Sequence, residues 1–175
     1  MEINTSADYL EVLRQALEPS VKQAEVEIGD DGVPKLFCVN TSPFDESSDI
    51  TYMIWPETDE NEDTLPMMNI VIELFGSIDA SRSDDVRAFL NEMNLYVTIG
   101  GFSYIRETGS VMSSHAFYFD PAMTLGDITA AAAKSLGEME ADIAAAGALT
   151  AKIISGEMTG AEAIAAFSGN GGDKG

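Results

Sequence analysis

Four segments with the alternating pattern of β-strands follow one another without a helical segment between them, and this run constrains the fold most. They occupy residues 21–28, 35–40, 49–55 and 67–75, and the first two flank the turn sequence GDDG at 29–32. Consecutive strands joined by turns pair antiparallel, whereas parallel strands need a long crossover, usually a helix. The sequence therefore predicts an antiparallel sheet. The last segment has large apolar groups on both faces, so we expect it to be central and covered on both sides.

Helical periodicity predicts four helices. The second spans 81–94, with Ser81 or Ser83 as its N-cap. The long third helix contains Gly137 and Gly147, which are places where it can bend. The other three helices begin at pairs with capping-box spacing, namely Thr5 with Asp8, Thr124 with Asp127, and Thr159 with Glu162.

Two further strands, at 96–105 and 111–119, complete the order α-β-β-β-β-α-β-β-α-α. Because this order lacks βαβ alternation, the fold class is α+β, with an antiparallel sheet of about five to six strands and helices packed on one side. A chain of 175 residues is most simply one domain. We expect that domain over residues 1–168, with a C-terminal helical extension at 157–167 and a disordered Gly-rich tail at 169–175.

Thirty Asp and Glu against nine Lys and Arg give a net charge of −21. Binding to phosphates needs clustered Lys and Arg, so neither nucleic acid nor an anionic membrane surface is an expected partner. No apolar run reaches the ~18 residues of a membrane span, and the acidic N-terminus does not resemble a signal peptide. We therefore expect a cytoplasmic location. The acidity serves solubility, or it complements a basic segment of a protein partner.

The segment DENEDTLPMMNI begins like a calcium-binding loop. Asp59, Asn61 and Asp63 occupy the first three ligand positions. The pattern then fails where geometry is strictest, because Thr64 replaces the turn glycine and Ile70 replaces the bidentate glutamate. We expect no specific calcium site there.

The sole histidine and the sole cysteine offer little to catalysis or metal binding. His115 shares a strand face with Ser113, but no nucleophile elbow or orienting acid accompanies this pair. Cys38 lies in a predicted strand, where cysteine usually acts as a small hydrophobe. The glycine-containing stretches match neither the dinucleotide fingerprint nor the phosphate loop. We expect no catalytic residue, no cofactor and no metal site.

The stretch FLNEMNLYVTIGGFSYI at 89–105 passes from a helical pattern to a strand pattern with little punctuation. Asn91 and Asn94 stand at the junction. We expect them to cap the helix, with Asn94 in the left-handed conformation that closes helices. Gly100 and Gly101 interrupt the strand pattern that follows, where a bulge or bend is the usual reason. We interpret these four residues as a structural motif.

This part of the chain resembles the YbjN-like family, which is similar in fold to the class I type III secretion chaperones (Tir-chaperone-like). The likeness covers residues 67–139 and rests on the successive segments VIELFGSI, DDVRAFLNEMN, LYVTIGGFSYIRETGSVMSSHAFYFD and MTLGDITAAAAKSL. The insertion PETDENEDTLP and the extension GEMTGAEAIAAF lie outside the family pattern. The residues that carry the resemblance are Leu90, Asn91, Asn94, Thr124 and Leu125.

The resemblance implies a bacterial, non-catalytic domain that works through protein contacts, often as a homodimer. Secretion chaperones hold an effector's N-terminal segment along apolar surface patches. We therefore expect a chaperone- or regulator-like binding module whose partner is a protein, such as a secreted effector. The expected partner-binding residues are Phe102, Tyr104, Met112 and Tyr118, on a sheet face free of helices. In the alternative arrangement, helix 125–155 packs over these four residues and they are not available to a partner.

Two other functions stay open on the sequence alone. The acidic loop 57–63 suits a cation-responsive protein. An effect of calcium on the stability of the protein would favour this function. The abundant carboxylates suit an enzyme whose acidic residues come from distant parts of the chain. A deep pocket holding two carboxyl groups of strongly raised pKa would favour that enzyme.

Overall fold

The computed structural model describes residues 6–57, 67–118 and 123–171. The strands in these ranges form one antiparallel sheet of six strands, in the order β1-β2-β3-β4-β6-β5. The sheet therefore begins with four strands in chain order and ends with a hairpin whose second strand pairs with β4. The strands are β1 (Gln23–Ile28), β2 (Pro34–Thr41), β3 (Asp49–Glu57), β4 (Met67–Phe75), β5 (Gly101–Ile105) and β6 (Ser110–Tyr118).

Four α-helices accompany the sheet in the described ranges, together with 3-10 turns at Glu18–Ser20 and Ala80–Arg82. The order of helices and strands is the predicted one, and the α+β class is confirmed. The helices are α1 (Ser6–Leu17), α2 (Ser83–Met93), α3 (Leu125–Ser155) and α4 (Gly160–Gly171).

Side chains along the middle strands alternate between two different environments, as the two-residue repeat of a strand requires. One set is at most 2 % exposed and faces the helices, which contribute Leu10, Leu13, Phe89 and Ile143 to the same core. We call this side of the sheet the inner face and the opposite side the outer face. The helices thus pack on one side, as predicted. The inner-face set comprises Leu36, Cys38, Ile50, Tyr52, Ile54, Met68, Ile70 and Ile72.

The strand β4 lies inside the sheet, between β3 and β6, as its apolar pattern predicted. Its second face, however, is only half-buried at Met67, Asn69 and Val71. No described helix packs over these residues, so the prediction that both faces are covered is wrong. Across the strands, Met53 stands opposite Val71 and Trp55 stands opposite Asn69.

Two of the predicted helix starts are confirmed as reciprocal capping boxes. The backbone N–H of Asp127 donates to Thr124 Oγ1 at 3.2 Å, and the backbone N–H of Thr124 donates to Asp127 Oδ2 at 3.0 Å. Thr159 and Glu162 form the same pair of bonds at 3.2 and 2.8 Å. Thr5 lies outside the described residues.

The start of α2 differs from its prediction. Neither Ser81 nor Ser83 provides the side-chain cap, because the Asp79 carboxylate accepts the Ser81 N–H at 2.8 Å and opens a 3-10 turn before the helix. At the other end of the chain, α4 continues to Gly171, so residues 169–171 are helical where disorder was predicted. Residues 172–175 lie outside the described part.

Asn94 joins α2 to the edge strand β5, and it does so with its side chain rather than with the expected left-handed backbone. Its φ and ψ of −61° and −11° are right-handed. The side-chain Nδ2 donates to the carbonyl of Phe102 at 2.9 Å, and Oδ1 accepts the Phe102 N–H at 2.6 Å. The amide group thus pairs with β5 as a neighbouring strand would. Asn91 is exposed, and its side chain makes no hydrogen bond to another described residue.

The segment between α2 and β5 is a loop, although its sequence suggested a strand from residue 96. The strand begins only at Gly101. Gly100 has a φ of +68°, and a β-carbon there would lie 2.2 Å from the carbonyl oxygen of Ser114. Only glycine fits this close approach to β6. The predicted bend at the glycine pair therefore lies where the chain enters β5. Of the two glycines, Gly100 is the one that no other residue could replace there.

Substituting Asn94 with Ala should lower the free energy of unfolding by about 1–2 kcal/mol, because two hydrogen bonds to the edge strand are lost. The Phe102 amide should also exchange with solvent faster. Asn91→Ala is the matched control and should change stability by less than about 0.5 kcal/mol. Urea unfolding and amide hydrogen exchange measure both effects. Equal stability losses in the two variants would contradict the role assigned to Asn94.

Helix α3 runs without interruption through both of its interior glycines, but their surroundings differ. A β-carbon at Gly137 meets no atom within 4 Å, whereas one at Gly147 would lie 2.2 Å from the ring of Phe44. That ring packs in turn on Phe75, with a centroid distance of 5.1 Å. Gly147 is therefore required by packing, and Gly137 is not.

Gly137→Ala should raise the free energy of unfolding by about 0.5–1 kcal/mol, since alanine favours the helix and fits without contact. Gly147→Ala should lower it by about 1–2 kcal/mol, because the clash with Phe44 outweighs the same helical gain. Thermal and urea denaturation of the two variants give the signs directly. A stabilised Gly147→Ala variant would show that the Phe44 ring moves aside freely.

Candidate functional site

The outer face carries a contiguous apolar patch that runs across four strands. Phe37 on β2 stands opposite Met53 on β3, which stands opposite Val71 on β4. All of these side chains are half-buried, and no described helix lies over them. We call the patch the outer patch and define it as Phe37, Val39, Met53, Trp55, Val71 and Met112.

Acidic side chains surround the outer patch. Glu25, on the edge strand β1, stands opposite Phe37, and Glu73 stands opposite Met112. Glu27 and Glu57 are further acidic residues of the same face, and all four are exposed. These four glutamates form the acidic rim.

The lysines near the rim are already engaged. Lys35 lies 2.7 Å from Asp31, and Lys22 pairs with Asp49. Because nearby basic side chains already have acidic partners, the rim keeps a negative potential, in keeping with the net charge of −21.

The four predicted partner-binding residues do not share one face. Phe102 stands opposite Ser113 and Tyr104 opposite Val111, and both partners are buried on the inner face. Phe102 itself is 6 % exposed and belongs to the core, so its placement on an open face is wrong.

Met112 and Tyr118 do lie on the outer face, since they stand opposite Glu73 and Met67. The register between β5 and β6 places Phe102 and Tyr104 on the face opposite to Met112 and Tyr118. A shift of β5 by one residue would have put all four on the same face. Tyr118 is 66 % exposed, whereas Met112 is half-buried within the outer patch.

Of the outer patch, only Met112 was predicted from the sequence as a partner-binding residue. Phe37, Met53 and Trp55 belong to segments that were identified as strands, yet their side was not assigned. A signal was present, because Met53 and Trp55 alternate with Tyr52 and Ile54. Which of the two alternating sets faces the helices depends on tertiary packing, so the pattern alone does not single out the open one.

A second concavity lies on the inner side, between α3, the end of α1 and strands β2 and β3. Its volume is about 170 Å³. Apolar residues such as Leu17, Cys38, Ile54 and Leu136 make up part of its lining, and its polar lining residues are Ser20, Asn40, Tyr52 and Glu140. We call it the helix-side pocket.

The polar end of the helix-side pocket is organised by a hydrogen bond across the core. The Tyr52 hydroxyl, on an inner-face residue that is 2 % exposed, donates to Oε1 of the half-buried Glu140 on α3. Burial and then this carboxylate raise the pKa of the Tyr52 phenol well above its usual range. Tyr52 therefore keeps its proton and acts as a fixed donor.

The pair of Ser113 and His115 lies on the inner face, as the alternation predicted. Ser113 is buried, and His115 is half-buried with its ring 6.1 Å from that of Phe117. Burial lowers the pKa of His115, and the Glu138 carboxylate opposes this shift. The neutral imidazole is thus favoured in its apolar surroundings.

Neither a metal site nor a membrane-spanning helix occurs within the described ranges. Residues 6–57, 67–118 and 123–171 contain no group of three or more His, Cys, Asp or Glu side chains placed to hold a metal ion. No helix in those ranges is long and apolar enough to cross a membrane. The calcium-like residues Asp59, Asn61, Asp63 and Thr64 lie outside them, while the Glu57 carboxylate accepts a hydrogen bond from Asn69 at 3.0 Å.

Shifted carboxyl groups in the described part share one direction. Their pKa values are lowered by hydrogen bonds, as for Asp127 with Thr124 and Asp45 with Ser48. Ion pairs contribute as well, since Arg14 lowers the pKa of Glu11 and Lys35 lowers that of Asp31. An acid catalyst needs a carboxyl group whose pKa is raised.

Compared with known proteins, the sequence matches no family model and no curated protein. The resemblance to the YbjN-like family accordingly stays a prediction.

Cys38 provides a direct test of the inner-face packing. It is 1 % exposed, and burial raises the pKa of its thiol to about 11. At pH 8 only about a thousandth of such a thiol is the reactive thiolate, against roughly a quarter for an ordinary cysteine. Iodoacetamide should therefore modify the native protein at least about a hundredfold more slowly than the urea-unfolded chain. Similar rates, followed by mass spectrometry, would show that reagent reaches Cys38 in the native protein, either through the helix-side pocket that it lines or by opening of the inner face.

Proposed function

We propose that this protein is a non-catalytic protein-binding module whose outer patch holds a partner segment of apolar residues flanked by Lys or Arg. The single observation that supports this most is the outer patch itself. It places six large side chains in adjacent positions on a sheet face with no described helix over it. Contiguous apolar surface rimmed by polar groups is typical of protein interaction sites.

Charge selects the kind of partner. The acidic rim attracts basic groups and repels acidic ones, which affects both the rate of encounter and the choice of partner. A homodimer formed through the outer patch is the weaker arrangement, because it brings together two acidic rims on chains of net charge −21. A segment that carries Lys or Arg on both sides of its apolar residues complements the patch and the rim together.

The resemblance to YbjN-like proteins and secretion chaperones favours the same function. In those chaperones the partner is a protein segment, such as the N-terminal part of a secreted effector, held along the surface of a cytoplasmic carrier. The outer patch differs from the site expected from the sequence, since Phe102 and Tyr104 are replaced by residues of β2, β3 and β4.

Selection from a random peptide library on the immobilised protein tests this proposal, because it needs no identified partner. We expect enriched peptides to combine aromatic or aliphatic residues with Lys or Arg, and their affinity to fall as salt rises. Met53→Glu places a charge at the centre of the outer patch and should weaken binding by at least about tenfold. Isothermal titration with one selected peptide measures the change.

The matched control is Ala141→Glu, which adds the same charge on the exposed side of α3. It should bind the selected peptide as the unmodified protein does. If Met53→Glu and Ala141→Glu lost the same affinity for the peptide, the loss would be explained by the change in net charge and not by the outer patch. Peptides without basic residues, or full binding by Met53→Glu, would contradict the proposed site.

A further inference from the structure

We propose that the helix-side pocket binds a small primary amine, with the Glu140 carboxylate as the partner of its ammonium group. This site is separate from the outer patch and lies on the opposite side of the sheet. The inference rests on the volume of the pocket, the placement of its single carboxylate and the small residues at its mouth.

The size of the pocket limits the ligand to a small molecule. Its volume of about 170 Å³ is close to the ~150 Å³ of an engineered apolar cavity that accepts benzene. The walls near Leu17, Ile54 and Leu136 are apolar, so they suit an aliphatic or aromatic body. A molecule with a short apolar stem and one polar head matches this lining.

The charge of the polar end selects a cation as that head. Glu140 is half-buried, and within the described ranges no Lys, Arg or His lies within ion-pair distance of it. Neighbouring acids on α3 are engaged differently, since Glu138 lies 3.7 Å from Lys134 and Asp142 accepts the Thr98 N–H at 2.8 Å. A partly buried carboxylate is stabilised by a charged donor more than by a neutral one.

The hydrogen bond from Tyr52 leaves part of Glu140 available. The phenol donates to Oε1, so Oε2 can accept from an ammonium group without breaking the bond between the two residues. An anionic ligand would meet the repulsion of the carboxylate, and a neutral hydroxyl would leave its charge unmatched. A primary amine meets both the charge and the volume.

The exposed residues that line the pocket, Ser20, Ala133 and Gly137, are all small and mark its mouth. A β-carbon at Gly137 meets no atom within 4 Å. Glycine inside a helix costs about 1 kcal/mol relative to alanine. No packing contact requires glycine at position 137. The missing side chain does, however, leave the mouth of the pocket open.

The test uses benzylamine and butylamine as probes, with benzyl alcohol as the neutral counterpart of the first. Binding is followed by methyl NMR of the whole protein, where Leu17, Val21 and Ile54 should shift and distant methyl groups should not. Both amines should bind more tightly than benzyl alcohol. Nα-acetyl-lysine methylamide distinguishes the source of the ammonium group. If it binds as butylamine does, a lysine of a partner protein is the ligand, and weaker binding indicates a free amine.

Glu140→Gln keeps an acceptor for Tyr52 but removes the charge and the second carboxylate oxygen, so it should weaken benzylamine binding by at least about tenfold. Glu107→Gln makes the same change in charge on the exposed β5–β6 turn and should leave the affinity unchanged. Gly137→Leu narrows the mouth and should weaken benzylamine and benzyl alcohol alike.

Three results would overturn the proposal. Benzyl alcohol could bind as tightly as benzylamine, Glu107→Gln could weaken binding as much as Glu140→Gln, or the shifts could fall outside the pocket. Equal weakening by Glu107→Gln and Glu140→Gln would show that the amine is attracted by the overall negative charge of the protein and not by Glu140.

Discussion

The core of this protein forms where the inner-face side chains of the strands pack against the helices. Ile50, Ile54, Ile70 and Ile72 form the middle of that contact, and each is almost completely removed from water. Burial of large aliphatic side chains is worth roughly 1.5–3 kcal/mol each. Once these residues face the helices, their neighbours in sequence must face the other way. The outer patch is therefore a direct consequence of the core.

The junction between α2 and β5 shows how the edge of the sheet is held. β5 is short and has a partner on one side only, so its backbone groups need a further partner. The Asn94 side chain supplies both a donor and an acceptor to Phe102. The close approach of Gly100 to the carbonyl of Ser114 then brings the chain onto β6. Of the two asparagines in the family-like stretch, Asn94 thus has a structural role of its own, whereas Asn91 is exposed.

The two proposed sites use the same acidity in different ways. On the outer face, exposed glutamates surround an apolar surface and act over a distance, which makes their effect sensitive to salt. In the helix-side pocket, a single half-buried carboxylate acts at contact, where screening is weaker. A basic segment and a small amine would therefore bind to opposite sides of the sheet without competing for the same groups.

The amino-acid sequence was enough to predict the order of the helices and strands, the antiparallel sheet, the central place of β4 and two of the capping boxes, because periodicity and capping are local properties. It did not determine which face of each strand would be covered, and it misplaced Phe102 for that reason. Strand register is decided by contacts between residues far apart in the chain, and a shift of one residue exchanges the faces. The meeting of Tyr52 with Glu140, 88 positions away in sequence, likewise exists only after α3 packs on the sheet. Tertiary structure therefore decided both candidate sites.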